Sequence, residues 1–97
     1  MKPFERSEDY QTQIFLDALD QHVVLDARVI IQHQGRRGSK LKAYCPATKT
    51  YLQFPRALRQ FSGQVYIADV IKSKKSTGTI FYRAYKKSIR NLDGELI

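Results

Sequence analysis

Cysteine and histidine, the side chains that most often hold metals or act as nucleophiles, are scarce in this sequence. Of its 97 residues one is cysteine, Cys45, and two are histidine, His22 and His33. A single cysteine forms no internal disulfide and makes no zinc site by itself. Neither histidine has a cysteine or an acid at a metal-binding spacing. We therefore expect no metal site and no cofactor.

Acidic residues are almost absent from most of the chain. Between Ala27 and Arg90 the only acid is Asp69. Metal-dependent nucleases need several carboxylates gathered at one site to hold their cations, and this region does not supply them. Cys45 falls on the inward side of its predicted strand, which favours a small core residue over a nucleophile. The sequence therefore predicts a protein that is not an enzyme, in which Asp69 pairs with a base across the sheet.

Long apolar runs are missing as well. The longest uncharged apolar stretch is only a few residues, far short of the roughly 20 that span a bilayer. Charged residues such as Lys2 and Glu5 stand where a secretory signal would need an apolar stretch. We expect a cytoplasmic protein without membrane insertion. An apolar content of 42% in 97 residues suffices for one small packed core.

The charge that is present is very unevenly distributed. Residues 1–26 carry a net charge of −4, whereas residues 27–97 carry +12. A compact domain has no structural need for such a one-sided field, because self-repulsion destabilises it slightly. The field does attract polyanions and speed their capture. Nucleic acid is therefore the expected partner, while a protein partner or a homo-oligomer stays open as an alternative.

Hydrophobic periodicity predicts a single domain over residues 9–90, between a flexible N-terminus, 1–8, and a C-terminal tail, 91–97. An acidic helix is predicted over residues 9–21, where apolar residues recur at helical spacing: Tyr10, Ile14, Phe15, Ala18 and Leu19. Three roles are open for this helix. It packs over one end of the domain, covers a basic surface in the same chain, or contacts another chain.

Five strands are expected after this helix, over residues 23–33, 40–45, 49–54, 64–71 and 79–85. In the first, alternation places Leu25, Ala27, Val29 and Ile31 on one face. Pro55 and Gly63 delimit a short helix between the third and fourth strands. The predicted fold is mainly β (α+β), a small five-stranded barrel with an N-terminal helix. Its element order resembles the OB-fold, and an SH3-like or Sm-like barrel with a leading helix fits almost as well.

One segment also resembles a known family. Phe15-Leu16-Asp17-Ala18-Leu19, leading into Val23–Ile31, resembles the opening of the bacterial Sm-like RNA chaperones. The resemblance covers residues 15–31, and no functional residue is carried over from it.

The predicted binding site follows from the placement of charge on the proposed barrel. OB-folds grip single strands with the loops after strands one and four and with the outer faces of strands two and three. Here these positions carry bases, which neutralise phosphates, and tyrosines, which stack bases for roughly 1–3 kcal/mol each. The predicted nucleic-acid-binding residues are Arg36, Arg37, Lys40, Lys42, Tyr44, Lys49, Tyr51, Lys72, Lys74 and Lys75.

Two interpretations of this pattern compete. The first is non-enzymatic binding of RNA or single-stranded DNA, in which the basic stretch from Arg83 to Arg90 either extends the groove or only solubilises the chain. The second is a small accessory subunit or adaptor whose lysines dock on an acidic protein surface of a larger complex. A lysine-and-tyrosine face is also compatible with a merely solvated sheet.

Overall fold

The computed structural model describes residues 4–35, 40–55, 58–61 and 64–97. One helix, α1 (Glu8–Asp17), precedes five strands, which are β1 (Val23–Gln34), β2 (Lys40–Cys45), β3 (Thr50–Leu52), β4 (Val65–Lys74) and β5 (Ile80–Ala84). Short 3-10 turns lie at Leu19–Gln21, Leu58–Phe61 and Lys86–Ser88. The predicted order of a leading helix, three strands, a short helical turn and two strands is confirmed.

The strands form an antiparallel sheet that curls into a nearly closed barrel. Its order is β3-β2-β1-β4-β5. The two edges meet where Gln53 N–H donates to the Tyr82 carbonyl (3.0 Å) and Ala84 N–H donates to the Gln53 carbonyl (3.1 Å). β4 pairs with β1 rather than with β3, as in the Greek-key OB barrel, whereas SH3-like and Sm-like barrels pair consecutive strands. Of the two predicted alternatives, the strand order matches the OB type.

A β-bulge near the start of β1 changes which side chains face the core. The register with β4 shifts between Val24 and Ala27, and Asp26 has a φ of 55°. An extra residue in one strand reverses the side-chain alternation before the bulge. The prediction that Leu25 shares a face with Ala27, Val29 and Ile31 is therefore wrong. Leu25 is 46% exposed, and Val24 packs against the core in its place.

The barrel interior is filled mainly by aliphatic side chains, with aromatic rings covering one part of it. Cys45 is fully buried there, which confirms its predicted place in the core. Phe61, from the 3-10 turn between β3 and β4, lies edge to face against Tyr66 and Phe54, with centroids 4.9 and 5.3 Å away. The turn predicted between Pro55 and Gly63 thus contributes a large ring to the core.

Helix α1 packs on the outer face of β4. Ser7 caps its N-terminus by accepting a hydrogen bond from Tyr10 N–H at 3.1 Å. Ile14 and Ala18 are buried in a cluster with Ile71 and Tyr85.

The helix is shorter than predicted, and its apolar stripe is only partly covered. It ends at Asp17 because Ala18 is extended, and Asp20 in the following 3-10 turn has a φ of 55°. Phe15 is 44% exposed and Leu16 73% exposed. The expected packing role is thus confirmed for Ile14, whereas Phe15, which belongs to the same predicted stripe, lies within α1 but is left largely uncovered.

Candidate nucleic-acid interface

Four of the predicted binding residues share the outer face of β2 and β3. Tyr44 lies opposite Tyr51 in the strand register. Lys40 and Lys42 alternate with Leu41, Ala43 and Cys45, which turn toward the interior, so both lysines lie on the same side as Tyr44. We refer to Lys40, Lys42, Tyr44 and Tyr51 as the Lys–Tyr face. Both of its lysines are exposed.

The two tyrosines form an ordered aromatic pair. Their ring centroids are 5.3 Å apart and their planes are inclined by 65°. Tyr51 is 45% exposed, and its hydroxyl accepts a hydrogen bond from Gln34 Nε2 on β1. Cross-strand packing and this hydrogen bond hold the rings in place while part of their surface stays open to solvent. The arrangement can present aromatic surface to a planar ligand.

The other predicted site residues are not part of this face as described. Lys49 lies in the turn before β3, with a φ of 55°, and its N–H donates to the Pro46 carbonyl at 3.3 Å. The third strand is therefore shorter than the predicted 49–54. Arg36 and Arg37, predicted for the loop between β1 and β2, lie outside the described residues.

The three lysines predicted for the second loop are divided by the structure. β4 continues to Lys74, so Lys72 and Lys74 are strand residues, opposite Tyr82 and Ile80. The prediction of a polar loop from residue 72 is wrong because the hairpin closes later, where Lys75 N–H donates to the Thr79 carbonyl at 2.9 Å. Alternation places Lys72 on the inward-facing side of the β4–β5 ribbon, whereas Lys74, at the end of β4, is exposed and lines a groove with Ser73 and Arg83. Lys72 and Lys74 do not extend the Lys–Tyr face.

Two residues that the predicted site omitted lie at the seam between β3 and β5. Gln53 follows Tyr51 by two residues, on the same face of its strand, and forms a parallel bridge with Arg83. Arg83 Nε donates to Ser73 Oγ at 3.0 Å, and its guanidinium lies 5.9 Å from the centre of the Tyr85 ring. Arg83 belonged to a basic stretch in the sequence, but a contact between β3 and β5 leaves no local sequence signal.

The one acid in the basic part of the chain, Asp69, is fully buried in a polar cluster. Its carboxylate accepts hydrogen bonds from Arg6 Nε (3.0 Å), Arg6 Nη2 (2.8 Å), Tyr10 Oη (2.7 Å) and the N–H of Asp26 (2.9 Å). Burial alone would raise the pKa of Asp69, but these donors outweigh it and lower the pKa below its ordinary value. Asp69 therefore stays ionised, in a structural role.

Arg90 completes this cluster from the C-terminal side. Its Nη2 donates to Asp26 Oδ1 and lies 3.6 Å from Asp69 Oδ1, while Arg6 Nη2 also contacts Asp26 at 2.6 Å. The predicted pairing of Asp69 with a base is confirmed. The bases come from segments near the two ends of the described chain rather than from a neighbouring strand. Arg90 is thus a structural residue of the basic stretch.

The acids of α1 lie on the β4 side of the barrel. Tyr85 Oη donates to Asp17 Oδ2 at 2.7 Å, and burial together with this hydrogen bond raises the pKa of Tyr85 to about 12. The buried contacts of the helix are with Ile71 and Tyr85. The acidic helix therefore does not pack on the outer positions of β2 and β3.

Metal-binding clusters and membrane-spanning helices are both absent from residues 4–35, 40–55, 58–61 and 64–97. Within these ranges no three or more His, Cys, Asp or Glu side chains come together where they could hold a metal ion. No helix in the described part of the chain has the length and apolar character to cross a membrane.

Comparison with known proteins found no relative of this chain: no family model, no curated protein and no solved structure matches it.

Proposed function

We propose that this protein binds single-stranded nucleic acid, RNA or DNA, through the Lys–Tyr face and does not act as an enzyme. The observation that carries the proposal is the Tyr44–Tyr51 pair, of which Tyr51 is exposed and Tyr44 half-buried, beside Lys40 and Lys42. Aromatic rings that stack bases and cations that follow the phosphates are the two components of sequence-tolerant single-strand binding. The outer face of strands two and three is where OB barrels bind oligonucleotides.

The electrostatics of the face support the same ligand. β2 and β3 contain no acid, and three acids of the fold are bonded to other side chains: Asp26 and Asp69 to arginines, Asp17 to Tyr85. A bound phosphate would therefore meet lysines without a competing carboxylate from the same strands. Affinity for a polyanion is expected to fall steeply with salt, because each neutralised phosphate releases counterions.

Single strands are favoured over duplex by the shape of the protein. Duplex readers usually insert a helix or a two-stranded ribbon into the major groove. The only α-helix among the described residues is α1, whose first turn carries Glu8 and Asp9 and whose buried side packs on β4. An acidic helix is repelled by the phosphates that line a groove.

The experiment is a fluorescence-anisotropy titration with labelled single-stranded RNA, single-stranded DNA and duplex at two salt concentrations. We expect single strands to bind more tightly than duplex and all binding to weaken with salt. Tyr44→Ala and Tyr51→Ala should each reduce single-strand affinity about 5- to 100-fold, the loss of one stacked base. Tyr44→Phe and Tyr51→Phe keep the rings and serve as matched controls. Weak, equal binding to all three ligands would overturn the proposal.

The competing function is docking of the same lysines on an acidic protein surface. Docking needs the charges but not the rings, so the alanine variants separate the two functions. If Tyr44→Ala and Tyr51→Ala leave polyanion affinity unchanged while Lys40→Gln and Lys42→Gln weaken it, the rings do not stack bases and docking becomes the better explanation. The partly exposed aromatic pair favours nucleic acid.

A further inference from the structure

We infer that Arg83 binds a phosphate of the nucleic-acid strand that crosses the Lys–Tyr face. This inference rests on the proposed function and adds a contact on β5, outside β2 and β3.

The position of Arg83 makes it continuous with the Lys–Tyr face. Tyr51 and Gln53 lie on the same side of the chain, about 7 Å apart at the usual rise of a strand. The backbone of Gln53 is hydrogen-bonded to Tyr82 and Ala84, the two residues that flank Arg83. Arg83 and Ser73, which bond each other, lie on the outer side of the β4–β5 ribbon. A nucleic-acid strand with a base stacked on Tyr51 can therefore pass over Gln53 and reach Arg83.

The surroundings of Arg83 orient its side chain without neutralising it. Ser73 Oγ accepts from Nε, and the Tyr85 ring lies beneath the guanidinium. Among the described residues Arg83 forms no ion pair, whereas Arg6 and Arg90 are both held by Asp26 and Asp69. The two Nη groups make no hydrogen bond within the described ranges. A planar, pre-oriented arginine with both Nη groups available matches the bidentate geometry of a phosphate.

The two spaces beside Arg83 determine the path of the bound nucleic acid and where that path ends. On the β3 side a cavity of about 160 Å³ is lined by Gln53, Pro55, Arg83 and Ala84. On the other side a groove of about 570 Å³ separates Arg83 and Lys74 from Asp17 and Asp20 at the end of α1. Carboxylates on that far wall repel phosphates. The strand should therefore enter the cavity beside Gln53, and Arg83 should be its last phosphate contact before the acidic wall.

The experiment compares Arg83→Gln with a matched control, Lys87→Gln, on oligothymidylates of about three to twelve nucleotides. Both variants remove one positive charge. Lys87 is exposed on the 3-10 turn whose Ser88 bonds the backbone of Asp69, on the side of the buried cluster. Short ligands that cover only the Lys–Tyr face should bind all three proteins equally. On longer ligands Arg83→Gln should lose about 5- to 50-fold in affinity and its salt slope should fall by about 0.7, the value of one phosphate on a single strand.

The possible results separate this inference from the proposed function. If Arg83→Gln and Lys87→Gln behave alike at every length while the unmodified protein binds, the Arg83 site is wrong and the proposed function stands. If the unmodified protein binds no single strand, both fail. Arg83→Lys keeps the charge but not the planar guanidinium, so its loss of affinity for the longer ligands should be intermediate. This second variant keeps the test valid if Arg83→Gln does not fold. Free phosphate, exchanged for chloride at constant ionic strength, should not compete with the oligonucleotide. If phosphate does compete, and Arg83→Gln abolishes this competition without changing the dependence of affinity on ligand length, Arg83 is a site for a free anion instead.

Discussion

Arg6 grips both carboxylate oxygens of Asp69, although 63 residues separate them in the chain. The bond is bidentate, through Nε and Nη2, and Asp69 is fully buried. Arg6 belongs to the stretch before α1 for which the sequence predicts no structure. The segment before α1 therefore helps to bind Asp69, the only acid between Ala27 and Arg90.

Replacing Asp69 with asparagine should destabilise the domain strongly. The amide keeps the shape but removes the buried carboxylate that binds Arg6, so that Arg6 and Arg90 are left with only the largely exposed Asp26 as a counter-charge. Removing one partner of a buried ion pair costs about 3–5 kcal/mol, a large share of the 5–15 kcal/mol that holds an ordinary domain together. Urea denaturation followed by circular dichroism measures the change in the free energy of unfolding.

Asp93→Asn is the matched control for this substitution. Asp93 is exposed, and only its backbone N–H is hydrogen-bonded, to Asn91. The free energy of unfolding should change by no more than about 0.5 kcal/mol. Equal effects of the two substitutions would contradict the role given to the Asp69 cluster.

The same cluster predicts a loss of stability in acid. The folded-state pKa of Asp69 lies below its ordinary value, which is about 3.9 in the unfolded chain. Its contribution is therefore fully present above the unfolded pKa and is lost as the pH falls toward the folded pKa. We expect the stability difference between the unmodified protein and Asp69→Asn to narrow as the pH falls below about 4. Denaturation midpoints at neutral pH and at pH values below 4 check this; a constant difference would contradict it.

Neighbouring apolar residues of α1 should respond very differently to truncation. Ile14 is 1% exposed in the cluster with Ile71, whereas Leu16 is largely exposed. Ile14→Ala should lower the free energy of unfolding by about 2–5 kcal/mol through lost burial and a cavity. Leu16→Ala should change it by less than about 0.5 kcal/mol. Thermal melts of both variants test whether the helix packs as described, and a costly Leu16→Ala would show that Leu16 is covered in solution.

A lysine on the Lys–Tyr face should matter more for binding than one in the adjacent turn. Lys42→Gln removes a phosphate contact, so the slope of log affinity against log salt should fall by about 0.7 for a single strand. Lys49→Gln makes the same charge change in the turn before β3 and should alter the slope less. Anisotropy titrations over a range of salt concentrations give both slopes. Equal slopes for the two variants would mean that bulk charge, rather than this face, attracts the ligand.

Local patterns were sufficient to predict most elements of this fold. Alternation in β2 and β3 places Ala43 and Leu52 inside and Tyr44 and Tyr51 outside, as observed. It failed at Leu25, where a bulge adds one residue, and at Phe15, which stays 44% exposed within α1. The bulge involves a tertiary contact that the local pattern does not record, because the N–H of Asp26 donates to the distant Asp69.

The candidate site was predictable only where it lies on consecutive strands. Tyr44 and Tyr51 are joined by one hairpin, so their pairing follows from short-range register. The meeting of Gln53 with Arg83 depends on closure of the barrel, which joins residues 30 apart through a parallel bridge. No periodicity in either segment records that contact. The sequence pattern predicts a loop at Lys72 and Lys74 because a run of charged residues is typical of loops, although here it lies within β4.

The convergence of Arg6, Asp69 and Arg90 also sets an order of events during synthesis. The ribosome completes β1 and β2 before it reaches β4, so a nascent chain carries the β1–β2 hairpin with one edge of β1 unpaired. Pairings between distant segments form slowly, and an open strand edge invites association with other chains. Arg6 has only Asp26 as a counter-ion until residue 69 has been made, and Arg90 is added later still. The barrel therefore closes only after β5 has been made, because its edges meet where Gln53 bonds Tyr82 and Ala84, and until then the open edge of the β1–β2 hairpin is free to pair with other chains.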